Sequence, residues 1–272
     1  MSVQQETNGQ VATDLIQYEV DNGVATIWLN RPEVKNCINW ELLMQMGAAV
    51  ERADQDPEAL AVCFRGRGNT FCAGADLNML DSEFLGTTNK SVKIAQVSAR
   101  TFARAFDLGK PTIAVVEGYA VAGGFELAIS CDFLIAADDA KIGDFHIRRA
   151  LFGGAGPIYR LPRMIGIRKT KELMLTGKLL SGKEAVDFDL INASAPAEEL
   201  DELVKDFIAP IIDKSPFAMR LTKMTIDRGL DADIQSLMVM EHLAVGNALQ
   251  SEDAREGVNA FLEKREPKWV GR

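Results

Sequence analysis

Two stretches of the chain carry residue types whose spacing could do chemistry. The first is Phe71-Cys-Ala-Gly-Ala-Asp-Leu77, which follows an apolar run and the glycines of Arg65-Gly-Arg-Gly68. Gly74 permits a positive φ, and the methyl-sized Ala73 and Ala75 leave the main chain uncovered, so an N–H can point at a ligand oxygen. A turn that needs glycine for steric reasons alone would look the same. The second is Gly118-Tyr-Ala-Val-Ala-Gly-Gly-Phe-Glu126-Leu-Ala-Ile-Ser-Cys-Asp132. Here Gly123 and Gly124 follow an apolar strand and open a helix, whose first N–H groups have no acceptor of their own. Close strand-to-helix packing is the competing explanation. Glu126, three residues after Gly123, is a charged residue in an otherwise apolar helix, and a carboxylate there is either paired structurally or tuned as an acid/base. Together the two stretches look like the halves of an oxyanion hole with an acid/base group beside it.

His146 is one of only two histidines. If Lys141 to Arg149 is extended, Asp144, His146 and Arg148 point to one side, so that Asp144 could orient the imidazole and Arg148 could meet an anion. A lone histidine satisfied within the fold is the alternative. His242, near Glu241 in a helical pattern, reads as structural. Cys37, Cys63, Cys72 and Cys131 show no metal-binding spacing, and three of them sit in apolar segments, so they read as buried free thiols and no metal site is expected.

These residues need a scaffold, and the composition allows a large one. The 272 residues, 47% hydrophobic and 25% charged, suffice for one main core with a C-terminal extension. A net charge of −9 provides no basic footprint for nucleic acid. No apolar run approaches the roughly 20 residues of a membrane span. Met1-Ser-Val-Gln-Gln-Glu-Thr-Asn8 is polar and lacks the basic start of a secretion signal, so a cytoplasmic protein is expected.

Leu15 to Val20 and Val24 to Asn30, split by Asp21-Asn22-Gly23, predict a β-hairpin. Trp40 to Ala53 and Ser91 to Leu108 carry apolar residues at helical spacing, the second ended by Pro111. Leu60 to Arg65, Thr112 to Glu117 and Phe133 to Ala136 read as buried strands, and Phe125 to Ser130 as a helix. This recurring order of strands and helices favours α/β layering. From Thr170 onward almost everything reads helical, and Asn192 to Pro196 is the expected boundary because strand content stops there. Met238, Met240, Leu243, Val245 and the apolar face of Leu203 to Ile212 read as core or a subunit interface rather than a cofactor box.

With those residues in view, the chain resembles the crotonase family, also called the enoyl-CoA hydratase/isomerase family, over nearly its full length. The matching stretches are Leu29-Asn-Arg-Pro32, Phe71 to Leu77, Gly118 to Asp132, Gly153-Gly-Ala-Gly156 with Arg160-Leu-Pro-Arg163, Glu172-Leu-Met-Leu-Thr-Gly177, and Glu256-Gly to Phe261-Leu-Glu-Lys-Arg265. The resemblance implies an α/β fold: a crotonase-like spiral of ββα turns over residues 1–195, followed by a C-terminal helical trimerisation module over 196–272. It also implies a homotrimer or homohexamer acting on acyl-CoA thioesters, with no resident cofactor because coenzyme A arrives as part of the substrate. Ala75 and Gly123 match the family's two oxyanion donors, and Glu126 its first catalytic glutamate. Ala73, Ala75, Asp76 and Leu77 match the strip that holds the CoA moiety, and Phe261 and Lys264 match positions that reach its adenosine or phosphate end.

The chain departs from the hydratase pattern at His146, which stands twenty positions after Glu126, where hydratases carry their second catalytic glutamate. Asn78 stands where a lysine is common, and Pro157 and Tyr159 also depart from the usual motif. The leading expectation is reversible hydration of a 2-enoyl-CoA with Glu126 and His146 as the acid/base pair. Hydrolysis, isomerisation or decarboxylation of a CoA thioester at the same site, and an acyl-CoA binding protein without turnover, are the alternatives.

Overall fold

The computed structural model describes residues 14–272; the polar stretch Met1 to Asn8 lies outside them. Strands β1 (Ile16–Asp21) and β2 (Val24–Leu29) form the expected hairpin. Its two-residue turn works because Asn22 and Gly23 both take positive φ, 48° and 81°, as the turn twist demands. β2 alternates, sending Ala25, Ile27 and Leu29 into the core.

After α1 (Trp40–Gln55), capped by the Asn39 side chain, β3 (Ala61–Gly66) runs parallel to β2. A short helix α2 (Leu77–Met79) and one π turn (Leu80–Phe84) lead to α3 (Thr88–Phe106). β4 (Thr112–Val116), β6 (Phe133–Ala137) and β8 (Ala193–Ala195) complete a six-stranded sheet in the order β1-β2-β3-β4-β6-β8. A second, parallel two-stranded sheet is made by β5 (Tyr119–Val121) and β7 (Lys141–Gly143), and bridges from Cys72 and Leu180 extend it at either edge. Each turn of the chain thus places one strand in the large sheet and a short stretch in the small one before a helix, the spiral of ββα turns that was expected. α4 (Gly123–Ala128) fills one such turn.

Phe64, Phe71, Phe102 and Phe125 are fully buried between these layers, each contributing about 2 to 3 kcal/mol of transfer free energy. Beyond β7 come α5 (Pro157–Met164), α6 (Gly166–Thr176) and α7 (Gly182–Asp187). β8, which falls at the expected boundary, was not singled out within the largely helical reading from Thr170 onward, since a three-residue strand is too short to display alternation. α8 (Leu200–Ile212) packs on the sheet through Phe207, edge-on to Phe133 at 5.2 Å. α9 (Pro216–Gly229), α10 (Ile234–Gln250) and α11 (Glu252–Glu263) pack mainly on one another. Lys223 ties α9 to the core, with its Nζ 2.6 Å from Asp132, 2.9 Å from Asp227 and 2.7 Å from the Phe106 carbonyl. α10 has no buried residue, and its Met238, Leu243 and Val245 are exposed; they are not core within the chain.

Candidate active site

The loop after β3 is held mainly by main-chain and amide contacts. Buried Asn36 donates to the carbonyls of Arg67 and Thr70 and accepts from the Arg31 N–H, pinning the glycine-rich exit of β3. The Ile38 N–H donates to Gly74 O at 2.8 Å, and the Asp76 N–H donates to Ile38 O at 2.9 Å. In such a parallel bridge the intervening residue turns its own amide the other way, so Ala75 N–H faces away from Ile38.

It faces the start of α4. Ala122, just before that helix, holds φ 50° and ψ −122°, a conformation non-glycine residues rarely adopt and one that marks a chain forced to reverse by its surroundings. Gly74, at φ 101°, has room for no side chain: a Cβ would lie 2.9 Å from Ala122 Cβ and 3.4 Å from Gly123 N. A Cβ on Gly123 would lie 3.6 Å from Ala75 N, and one on Gly124 only 2.2 Å from the Cys72 carbonyl oxygen. The two backbones therefore touch. Neither Ala75 N–H nor Gly123 N–H donates to an acceptor among the described residues. Two adjacent unbonded amides are what a developing oxyanion requires.

Glu126 rises from the same helix, three residues after Gly123 and so on the same face. It is 5% exposed, and its Oε1 accepts from Ala155 N–H at 2.9 Å. Burial pushes its carboxyl above the ordinary 4.5, against the lowering by the Ala155 N–H and His146, while Asp144 adds to the rise. Asp144, 2% exposed, accepts at Oδ1 from both His146 N–H, at 3.0 Å, and His146 Nδ1, at 2.9 Å. Burial alone would lower the imidazole, but the hydrogen bond and charge of Asp144, reinforced by Glu126, raise it above 6.5. The three side chains converge on Gly153, whose missing Cβ would sit 2.8 Å from Asp144 Oδ2, 3.0 Å from His146 Nδ1 and 3.1 Å from Glu126 Oε1.

One expectation fails here. His146–Arg149 is a 3₁₀ turn, not an extended segment. The Asp144 carboxylate captures the His146 N–H and closes the backbone locally, the competition that short acidic side chains offer to strand structure. Asp144 and His146 still meet, but Arg148 is exposed and packs toward Gly177. It is not on the Asp144–His146 side.

Of the residues expected at the CoA strip, Ala73 donates its N–H to Lys35 O, and Leu77 is 58% exposed. Asp76 caps α2 at the Asn78 N–H and pairs with Arg31 at 3.3 Å. Phe261 and Lys264 are exposed at the end of α11, and no hydrogen bond or ion pair among the described residues joins them to the Ala75 and Gly123 loops. Cys63, Cys72 and Cys131 are buried and Cys37 half-buried; burial pushes the Cys63 and Cys72 thiols up to about 12. A cavity of about 770 Å³ opens elsewhere, between α5, α8 and α9 behind the far end of α4, and neither Ala75, Gly123, Glu126 nor His146 lines it.

Sequence reading did not single out Asn36 or the Ala155 amide, nor did it anticipate that Gly153 would be the meeting point of three polar groups. The signals were faint: an asparagine able to hold positive φ, and a glycine cluster in a stretch with no periodicity, where side chains would be in the way.

The family model for enoyl-CoA hydratase/isomerase matches residues 19–272. The chain is 33% identical to a short-chain-enoyl-CoA hydratase of Clostridium acetobutylicum over 248 residues, covering 91% of this chain and 94% of that protein. It is 32% identical to a crotonyl-CoA hydratase of Syntrophomonas wolfei over 263 residues, 96% of this chain and 100% of the other. Among solved structures, an enoyl-CoA hydratase from Bacillus anthracis superposes with a TM-score of 0.90 at 32% identity, covering 95% of this chain and 100% of that one. With a matching fold and near-complete coverage, the chain belongs to the enoyl-CoA hydratase/isomerase family.

Proposed function

We propose that this protein catalyses the reversible hydration of a 2-enoyl-CoA, a lyase reaction of acyl-CoA metabolism. The observation that carries the reading is the pair of unbonded amides at Ala75 and Gly123, with buried Glu126 rising from the same helix. The amides take the thioester oxygen, and each such donor lowers the barrier by about 3 kcal/mol as enolate charge builds. Glu126 as carboxylate removes a proton from water as its oxygen bonds to C3. The C2–C3 π pair moves to C2, which receives a proton from the His146 imidazolium. Proton exchange between the two side chains restores the starting state, so the net change is one water added. Coenzyme A enters as part of the substrate, with Ala73, Ala75, Asp76 and Leu77 along its path and Phe261 and Lys264 toward its phosphate end.

The relatives named for short-chain and crotonyl substrates make crotonyl-CoA the first compound to try. Loss of enoyl-thioester absorbance with a product heavier by one water is the expected result. Free CoA would instead favour thioester hydrolysis, the reading to which the Asp144–His146 pair lends itself; binding by calorimetry without turnover would reduce the protein to a carrier. Unchanged hydratase turnover in His146→Ala would remove His146 from the mechanism.

The same proposal includes a homotrimer or a hexamer of two trimers, built by the 196–272 module on the 1–195 core. Ile234, Val239, Leu243 and Leu249 of α10 are all more than half exposed, and an apolar helix with no buried face in its own chain needs a partner. Sedimentation equilibrium giving a monomer would refute it.

A further inference from the structure

Asp144 is buried to 2% exposure, yet among the described residues its carboxylate has one partner only, His146, which supplies both donors to Oδ1. Oδ2 has none and is turned toward the Gly153 point that Glu126 shares. An acid placed for scaffold reasons joins elements, as Asp253 does by accepting from Ser215, Val270 and Gly271. Asp144 binds His146 alone, through its main-chain N–H and its imidazole, and ties no second element to the fold.

The contact fixes the chemistry of the ring. A carboxylate only accepts, so the 2.9 Å contact requires the proton on Nδ1. Nε2, which has no hydrogen bond among the described residues, is left as the ring's exchangeable position. The charges that face the ring are the carboxylates of Asp144 and Glu126. On its own turn, Arg148 and Arg149 lie over the Phe145 ring, and on α6, which packs against the turn, Glu172 is held by Lys178. A neutral imidazole would therefore leave two buried carboxylates facing each other, whereas a cation compensates one of them.

We infer that Asp144 is a positioning residue, which holds His146 with Nδ1–H turned inward and makes it a cationic acid delivering its proton from Nε2. This rests on the hydration reading for its catalytic consequence, but the tautomer stands apart from it.

The decisive comparison is Asp144→Asn in the wild-type background and in His146→Glu. In the wild-type background kcat should fall by roughly 10- to 100-fold, the range for losing a group that orients an imidazole, with KM for crotonyl-CoA within about threefold. The basic limb of the pH profile should move down by about one unit or more as the ring loses its anion. In the His146→Glu background Asp144→Asn should cost nothing further. Nitrogen-15 NMR of labelled histidine should report Nδ1–H in the parent and loss of that preference in Asp144→Asn. An unmoved basic limb, an equal loss in both backgrounds, or an unchanged tautomer would overturn the inference. If the parent hydrates nothing, the hydration reading fails on its own, and the tautomer measurement still decides the role of Asp144.

Discussion

The two walls of the site are built from different materials. The oxyanion wall is main chain: Ala75 and Gly123 contribute amides held by ladder bonds to Ile38 and by direct backbone contact between Cys72 and Gly124. It does not titrate, and side chains matter to it mainly by being absent. The acid/base wall is made of side chains from two separate segments, Glu126 on α4 and Asp144 and His146 after β7, packed against the main chain of the Gly153 loop. Its polar atoms are held by few contacts, with none to Asp144 Oδ2 among the described residues, and their charge depends on burial and neighbours. Recognition of the thioester oxygen should therefore be robust to pH and to conservative substitution, while proton transfer should be sensitive to both.

The largest expected effect tests that separation directly. Glu126→Gln keeps shape and burial but removes the base, and kcat should fall on the order of 10³-fold, with the calorimetric Kd for crotonyl-CoA changed by less than about threefold. A parallel collapse of affinity would break the distinction between the walls. Gly124→Ala attacks the other wall, since its Cβ meets the Cys72 carbonyl oxygen at 2.2 Å and neither backbone can give easily. Denaturant unfolding should show a loss of about 2 to 3 kcal/mol, with activity lost alongside. Gly153→Ala should behave oppositely, because the atoms its Cβ meets most closely are side-chain atoms of Asp144, His146 and Glu126 rather than backbone. Those side chains can move, so stability should hold within about 1 kcal/mol while kcat drops about tenfold through misplaced groups.

The smallest effect is the pH profile. With Glu126 raised above 4.5, chiefly by burial, the acid limb should lie above the ordinary carboxylate range; with His146 raised above 6.5 by Asp144 and Glu126, the basic limb should lie above the ordinary imidazole range. Substrate affinity should stay flat across both limbs. For stability the sign for Glu126 is the reverse of a salt-bridged acid: its contribution is full at low pH and is lost as pH rises through its raised value. The free energy of unfolding measured against pH should therefore fall more steeply with rising pH in the parent than in Glu126→Gln.

The hairpin, α1, β3, α3, β4 and β6 were legible because each is long enough to show a period or an unbroken apolar run. β5, β7 and β8, three residues apiece, were not. They exist because neighbouring strands offer them hydrogen bonds, and nothing local dictates them. α5 was hidden too, since it opens at Pro157 after Gly156 at φ 132° and contains Pro162. At the site, Gly74, Gly123 and Glu126 were readable from residue type, because bare backbone and a charge among apolar residues are both costly without a use. The turn at His146 departs from the extended alternative because the His146 N–H donates to the Asp144 carboxylate, a bond that outweighs the local pattern.

By itself the sequence determined where backbone would be left bare, which carboxyl would be buried, and the kinship those motifs express, since these follow from residue size, polarity and order. Only the tertiary structure decided that Ala75 and Gly123 stand side by side with free amides, that Arg148 turns away, and that Glu126, Asp144 and His146 close around Gly153. The physical reason is distance along the chain. Parallel strands bring remote segments into contact, and the final aim of each polar atom is set by hydrogen bonds formed only after that packing is complete.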